Sequence, residues 1–296
     1  MAALRVALAL GSGGARGYAH IGAIDEIKSR GHDIVAISGS SMGALVGGLA
    51  AAGRLDEYAA WTRSLTQRDV LRLLDPKWSA PGAIAAQRIF GEVDRLIKGQ
   101  LIEDLPIPFT AVATDLHARR EVWFQRGPLA SAIRASIAIP GVITPVEMNG
   151  RLLADGGLMN PIPIEPMASS SADLTVAISL QGARTSRELS SPAREAADPK
   201  WRDAFVERVR RTVGRSPDAE PEPAALMDQL RISDVVGLSM DAMQGIIARY
   251  RMAGLPPDVL VTVPVSAARA LEFHRAAEMI ALGRALTAAA MDAAGH

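Results

Sequence analysis

Val6-Ala7-Leu8-Ala9-Leu10-Gly11-Ser12-Gly13-Gly14-Ala15-Arg16-Gly17 runs five apolar residues straight into a cluster of glycines. An unbroken apolar run of this length is what a strand buried on both faces of a parallel sheet requires, and the glycines supply a tight exit from it. From Tyr18 the periodicity becomes helical, with Ile21, Ile24 and Ile27 recurring every three residues and Gly31 as a C-terminal stop. The pattern then repeats. Ile34 to Ser38 reads as a second buried strand, Gly39-Ser40-Ser41-Met42-Gly43 as its exit, and Ala44 to Ala52 as a small-residue helix closed by Gly53. Strand, helix, strand, helix at this spacing predicts an α/β fold with a mainly parallel sheet.

Further along, Phe109 to Thr114 and Val122 to Gln125 read as strands, and Leu129 to Ile137 as a short helix ended by Pro140. Val146 to Ala154 reads as a hairpin turned by Asn149-Gly150, which delivers Asp155 at its exit. Leu174 to Leu180 predicts another buried strand. Residues 184–223 are rich in charge, Ser and Pro and read as a surface excursion holding one amphipathic helix. In that helix Trp201, Phe205, Val209 and Val213 form the apolar stripe, with Arg202, Arg208, Arg210, Arg211 and Arg215 at other positions, a pattern that suits either packing on the core or a lid lying in a lipid interface. Residues 224–296 read as C-terminal elements packed on the core: a helix over Ala224 to Met252, a strand over Val259 to Val263, and an Ala-rich helix over Ala267 to Ala290.

Composition narrows the function classes. Lys+Arg 32 against Asp+Glu 32 gives a formal net charge of +0, so the global positive field of a nucleic-acid binder is missing. With Cys 0 there is no disulfide framework, thiolate metal site or Cys nucleophile. The apolar run near Met1 is too short for a signal-peptide core, and no run reaches the roughly 18 apolar residues of a membrane span. The expected location is the cytoplasm, with peripheral contact at a membrane as an option. Oligomeric state is not legible.

Gly39 to Gly43 is G-x-S-x-G between a predicted strand and a predicted helix. Such a turn forces Ser41 into a strained conformation with its side chain exposed, at a helix N-terminus that favours developing negative charge. The loop Gly11 to Gly17 falls on the same edge of a parallel sheet. A dinucleotide site there would need Gly where Arg16 stands, counting from Gly11, and no ribose-binding acid follows the second strand. An oxyanion hole formed by the amides of Gly13 and Gly14 is the stronger reading. Of the histidines, His20, His32, His117, His274 and His296, only His274 has the chain order of an α/β-hydrolase triad, and an ordinary helix face suits it better. Asp155, with Gly156 and Gly157 behind it, is the better base. Standing alone, it would read as an Asp capping a turn.

Together these residues resemble the patatin-like phospholipases, lipid acyl hydrolases with a Ser/Asp dyad in a three-layer α/β/α fold. The resemblance is carried by Gly11 to Gly17 with Arg16, Gly39 to Gly43 around Ser41, Ala135, Ser136 and Pro140, and Asp155-Gly156-Gly157 followed by Asn160-Pro161. It covers residues 5–168 as a catalytic core, with 169–183 continuing as a core strand, and the tail Phe273 to Gly283 resembles bacterial members. Ser12 departs from it, since many members carry Gly there. The resemblance implies Ser41 as nucleophile and Asp155 as base. It implies oxyanion donors at Gly13, Gly14 and Met42, with Gly11, Arg16, Gly17, Gly39, Gly43, Gly156 and Gly157 in support. The implied substrate is a lipid or acyl ester, with no metal, cofactor or nucleic acid. Arg16 either orients the loop by ion pairing or attracts a phosphate head group, the first being the simpler role. A lipid-binding module that keeps the fold without catalysis is the alternative, and it would be favoured had Ser41 or Asp155 been replaced.

Overall fold

Side chains along β1 (Arg5–Leu10) alternate between two apolar surroundings, and this alternation builds the layers. Val6, Leu8 and Leu10 face a large cluster shared with Ile21, Ile24, Leu45, Leu49, Met279 and Ile280. Ala7 and Ala9 face the opposite side, against Ile162, Ile164, Met167 and Ala248. At β1 the sheet is therefore covered on both faces, as a nearly all-apolar strand requires. The structure is a computed structural model that describes residues 2–73, 87–183 and 232–296. The chain divides into two units, Met1–Ala183 with Asp241–His296, and Arg184–Met240. The amphipathic helix expected around Trp201 to Arg215 lies outside the described residues.

The remaining strands are β2 (Asp33–Ser40), β3 (Phe109–Asp115), β4 (Arg120–Phe124), β5 (Val146–Met148), β6 (Arg151–Asp155), β7 (Leu174–Gly182) and β8 (Val259–Pro264). Their order is β5-β6-β3-β2-β1-β7-β8, with β4 paired to β3. Strands β3, β2, β1, β7 and β8 run parallel, while β4, β5 and β6 add antiparallel pairs at one side. The helices are α1 (Ala19–Ser29), α2 (Met42–Ala51), α3 (Leu55–Ser64), α4 (Gln67–Leu73), α5 (Gln87–Ile97), α6 (Leu129–Ser136), α7 (Ile232–Gly254) and α8 (Ala276–Ala293).

The hairpin forms at the expected turn, with Asn149 and Gly150 at φ 53° and 71°, the paired positive values of a type I′ turn. One expectation is corrected. The Ala-rich helix does not begin at Ala267 but at Ala276, because the residues before it dock on the glycine loop instead. Ala270 spends its carbonyl on the Ala15 N–H at 2.9 Å, so a long-range contact overrides alanine's helix propensity.

Candidate active site

Register on β3 brings the two candidate reactive residues together. One edge of β3 carries β4, and the other carries β2 followed by β6, with Val112 opposite Ser40 and Ala113 opposite Asp155. The C-terminal ends of β2 and β6 thus meet at adjacent positions. At that junction Ser41 Oγ donates to Asp155 Oδ2 at 2.6 Å.

Ser41 has φ 56° and ψ −123°, a left-handed conformation that costs a non-glycine residue about 1–3 kcal/mol. The strain expected from the turn is present. The exposure is not: Ser41 is 3% exposed, because its hydroxyl turns inward onto Asp155, which is itself buried. The elbow is held from both sides. A Cβ on Gly43 would lie 2.0 Å from the Leu10 carbonyl, and one on Gly39 2.3 Å from the Gly43 carbonyl carbon, so both positions admit only glycine. Ser136, quoted above only as part of the resemblance, accepts the Ser41 N–H at 2.9 Å and donates to the Val112 carbonyl at 2.6 Å. The Ser41 amide is therefore already spent.

Asp155 closes a short turn and faces Ser41 at once. Its Oδ1 accepts the Gly157 N–H at 2.7 Å, so it does cap a turn while Oδ2 holds the serine. Its N–H donates to the Ala138 carbonyl at 2.9 Å, and its carbonyl accepts from Thr114 Oγ1 at 2.9 Å. Burial pushes its carboxyl up to about 6, against the smaller lowering from the Ser41 and Gly157 hydrogen bonds. A Cβ on Gly156 would lie 2.0 Å from the Val112 carbonyl, and one on Gly157 would meet Ser12 Oγ at 2.5 Å.

The glycine loop lies beside this pair, since the parallel register sets Leu10 opposite Gly39 and a Cβ on Gly17 would meet Met42 Cβ at 2.3 Å. Its backbone groups can be followed one by one. Gly11 donates to Ile178 and its carbonyl meets His20 Nε2 at 2.8 Å; Ser12 donates to Pro161 and Ala15 to Ala270. Between them, the N–H groups of Gly13 and Gly14 have no acceptor among the described residues. Met42, the first residue of α2, adds an N–H that helix geometry leaves without an intrahelical partner. Burial drives the His20 imidazole down to about 4, so at neutral pH it is uncharged and donates through Nε2.

Arg16 does not face solvent. It is 2% exposed and its guanidinium donates to the carbonyls of Gly13 and Val265 and to Asp241 Oδ1, so it orients the loop by hydrogen bonding and ion pairing. His274 sits in a single 3-10 turn, Phe273–Arg275, rather than on an α-helix, and the hydrogen bond of the Ser41 hydroxyl goes to Asp155. No group of three or more metal-ligating side chains occurs among the described residues. No described helix is long and apolar enough to cross a membrane.

Residues 8–168 match the family model of the patatin-like phospholipases. The chain belongs to that family. An uncharacterized NTE family protein of Mycobacterium tuberculosis is 49% identical over 98% of this chain and 92% of its own length. Patatin-like phospholipase domain-containing protein 6 of Mus musculus is 33% identical over 63% of this chain and 14% of that protein. VipD from Legionella pneumophila has a similar fold, with TM-score 0.51 at 13% identity over 99% of this chain and 67% of that one. Membership in the family supports lipid hydrolysis in general terms.

Proposed function

We propose that this patatin-like protein is a serine acyl hydrolase of the phospholipase A, lysophospholipase or carboxylesterase type. The observation that carries the reading is the 2.6 Å Ser41–Asp155 hydrogen bond at a strained elbow beside two consecutive unspent amides. Ser41 Oγ attacks the ester carbonyl carbon while its proton passes to Asp155 Oδ2. The carbonyl oxygen, now negative, is held by the N–H groups of Gly13, Gly14 and Met42. Collapse of the tetrahedral intermediate expels the alcohol, which takes the proton from Asp155. Water then attacks the acyl-serine by the same route, giving up a proton to Asp155, and the free acid leaves as Ser41 regains its proton. A carboxyl held near 6 suits this task better than an ordinary Asp, since its affinity for the proton is closer to what the step demands.

The test is hydrolysis of short p-nitrophenyl esters beside a panel of phospholipids and lysophospholipids. The wild type should turn over at least one class. Ser41→Ala and Asp155→Asn should each lose activity by about three orders of magnitude or more while remaining folded. Because only the carboxylate accepts a proton, kcat/KM should rise with pH through about 6 and then level. Activity kept in either variant would refute the dyad, and a folded wild type inert on every ester would favour a lipid-binding module.

A further inference from the structure

We propose that Asp241 and Gln244, three residues apart on the inward face of α7, are positioning residues that aim the two unspent amides of the glycine loop. The proposal rests on the reading of that loop as an oxyanion hole. A trans peptide is planar, so a carbonyl and the next residue's N–H point in opposite directions, and fixing one aims the other.

The Gly14 N–H belongs to the peptide whose oxygen is the Gly13 carbonyl, and that oxygen accepts from Arg16 Nε at 3.1 Å. Arg16 is in turn held through Nη1 by the Val265 carbonyl at 3.2 Å and through Nη2 by Asp241 Oδ1 at 3.0 Å. Asp241, 40% exposed at its side chain, is the one carboxylate paired with this buried cation among the described residues. The Gly13 N–H belongs to the peptide whose oxygen is the Ser12 carbonyl, which Gln181 Nε2 approaches at 3.5 Å. Gln244 Oε1 accepts from the same Gln181 Nε2 at 2.8 Å and from the Ser12 hydroxyl at 3.1 Å, so it holds both residues of that contact.

Each donor peptide is thus braced from behind by a side chain that α7 holds. Ser12 supplies the hydroxyl through which Gln244 reaches the loop. Removal of Asp241 would leave the buried Arg16 charge on two carbonyls alone, and the cation would draw in water or shift. Neither α7 residue is bonded to Ser41 or Asp155. Their effect therefore falls on donors that matter most when the oxyanion forms, which lowers kcat more than it weakens substrate binding.

The test uses the full chain with Asp241→Asn and Gln244→Ala. On p-nitrophenyl butyrate, kcat should fall about 10- to 100-fold in each with KM changed less than about threefold. A trifluoromethyl ketone, which adds to the serine as an oxyanion mimic, should weaken by the same factor as kcat/KM. Asp241→Glu should restore part of the loss. Asp292→Ala, which removes the exposed partner of Arg30, controls for loss of an ion pair as such and should leave kcat unchanged. A second readout is independent of turnover: the Gly13 and Gly14 amide NMR signals should shift and broaden in both variants, while that of Ala15, bonded to Ala270, stays. Unmoved Gly13 and Gly14 signals in folded Gln244→Ala or Asp241→Asn, or unchanged kcat in an active enzyme, would overturn the proposal. Moved signals in a protein that never hydrolyses an ester would overturn the hydrolase reading alone.

Discussion

Asp155 shows what the burial of one carboxyl does to stability. Its folded carboxyl titrates at about 6, above the ordinary 3.8, so between these values the folded state binds the proton that the unfolded chain has lost. Stability from this group is complete below the ordinary value and is lost as pH rises through about 6. At neutral pH the buried carboxylate is therefore a cost, of at most about 3 kcal/mol. Asp155→Asn should raise the melting temperature at pH 8 and gain little or nothing at pH 4, and thermal melts at the two pH values check this. His20 runs the other way, since a folded value of about 4 costs stability as pH falls from 6.5 toward 4. A comparison with the wild type at each pH removes that shared contribution.

At the scale of elements, the glycines that matter lie where backbones touch. Helices α1 and α8 cross so closely that a Cβ on Gly283 would lie 2.0 Å from the Ala19 carbonyl, and one on Gly22 would lie 1.9 Å from the Ile280 carbonyl. Each contact is with backbone, which cannot rotate away as a side chain can. Gly283→Ala should therefore destabilise by about 1–3 kcal/mol despite alanine's better helix propensity, as read by urea denaturation. A more stable variant would mean that the two helices do not pack this closely. The same physics explains why α2 can begin directly at Met42: Gly43 lets its first turn rest on the Leu10 carbonyl.

For the whole molecule, what could be read from the chain was what is encoded locally. The two glycine breaks, the Asn149-Gly150 turn and the apolar strands each carry their signal within a few residues, and Ser41, Asp155 and the loop followed from them. Residues that no local motif marks were not legible. Ser136 meets Ser41 across 95 positions, Asp241 meets Arg16 across 225, and Gln244 meets Ser12 across 232. Nothing around a Gln in a helical stretch announces such a contact. The segment from Leu55 to Ile97 likewise held no expected element, because its helices α3, α4 and α5 mix charged and apolar residues and none follows an unbroken apolar run that breaks into a glycine cluster. Where the fold gathers Ser41, Asp155 and the loop amides into one place, one serine alone should react. The measurement is reaction of the folded protein with a fluorophosphonate, followed by mass spectrometry of its peptides. A single label on Ser41 is expected, absent in Ser41→Ala and strongly slowed in Asp155→Asn; a label on Ser12 or Ser40, or no label on a folded protein, would refute Ser41 as the reactive serine.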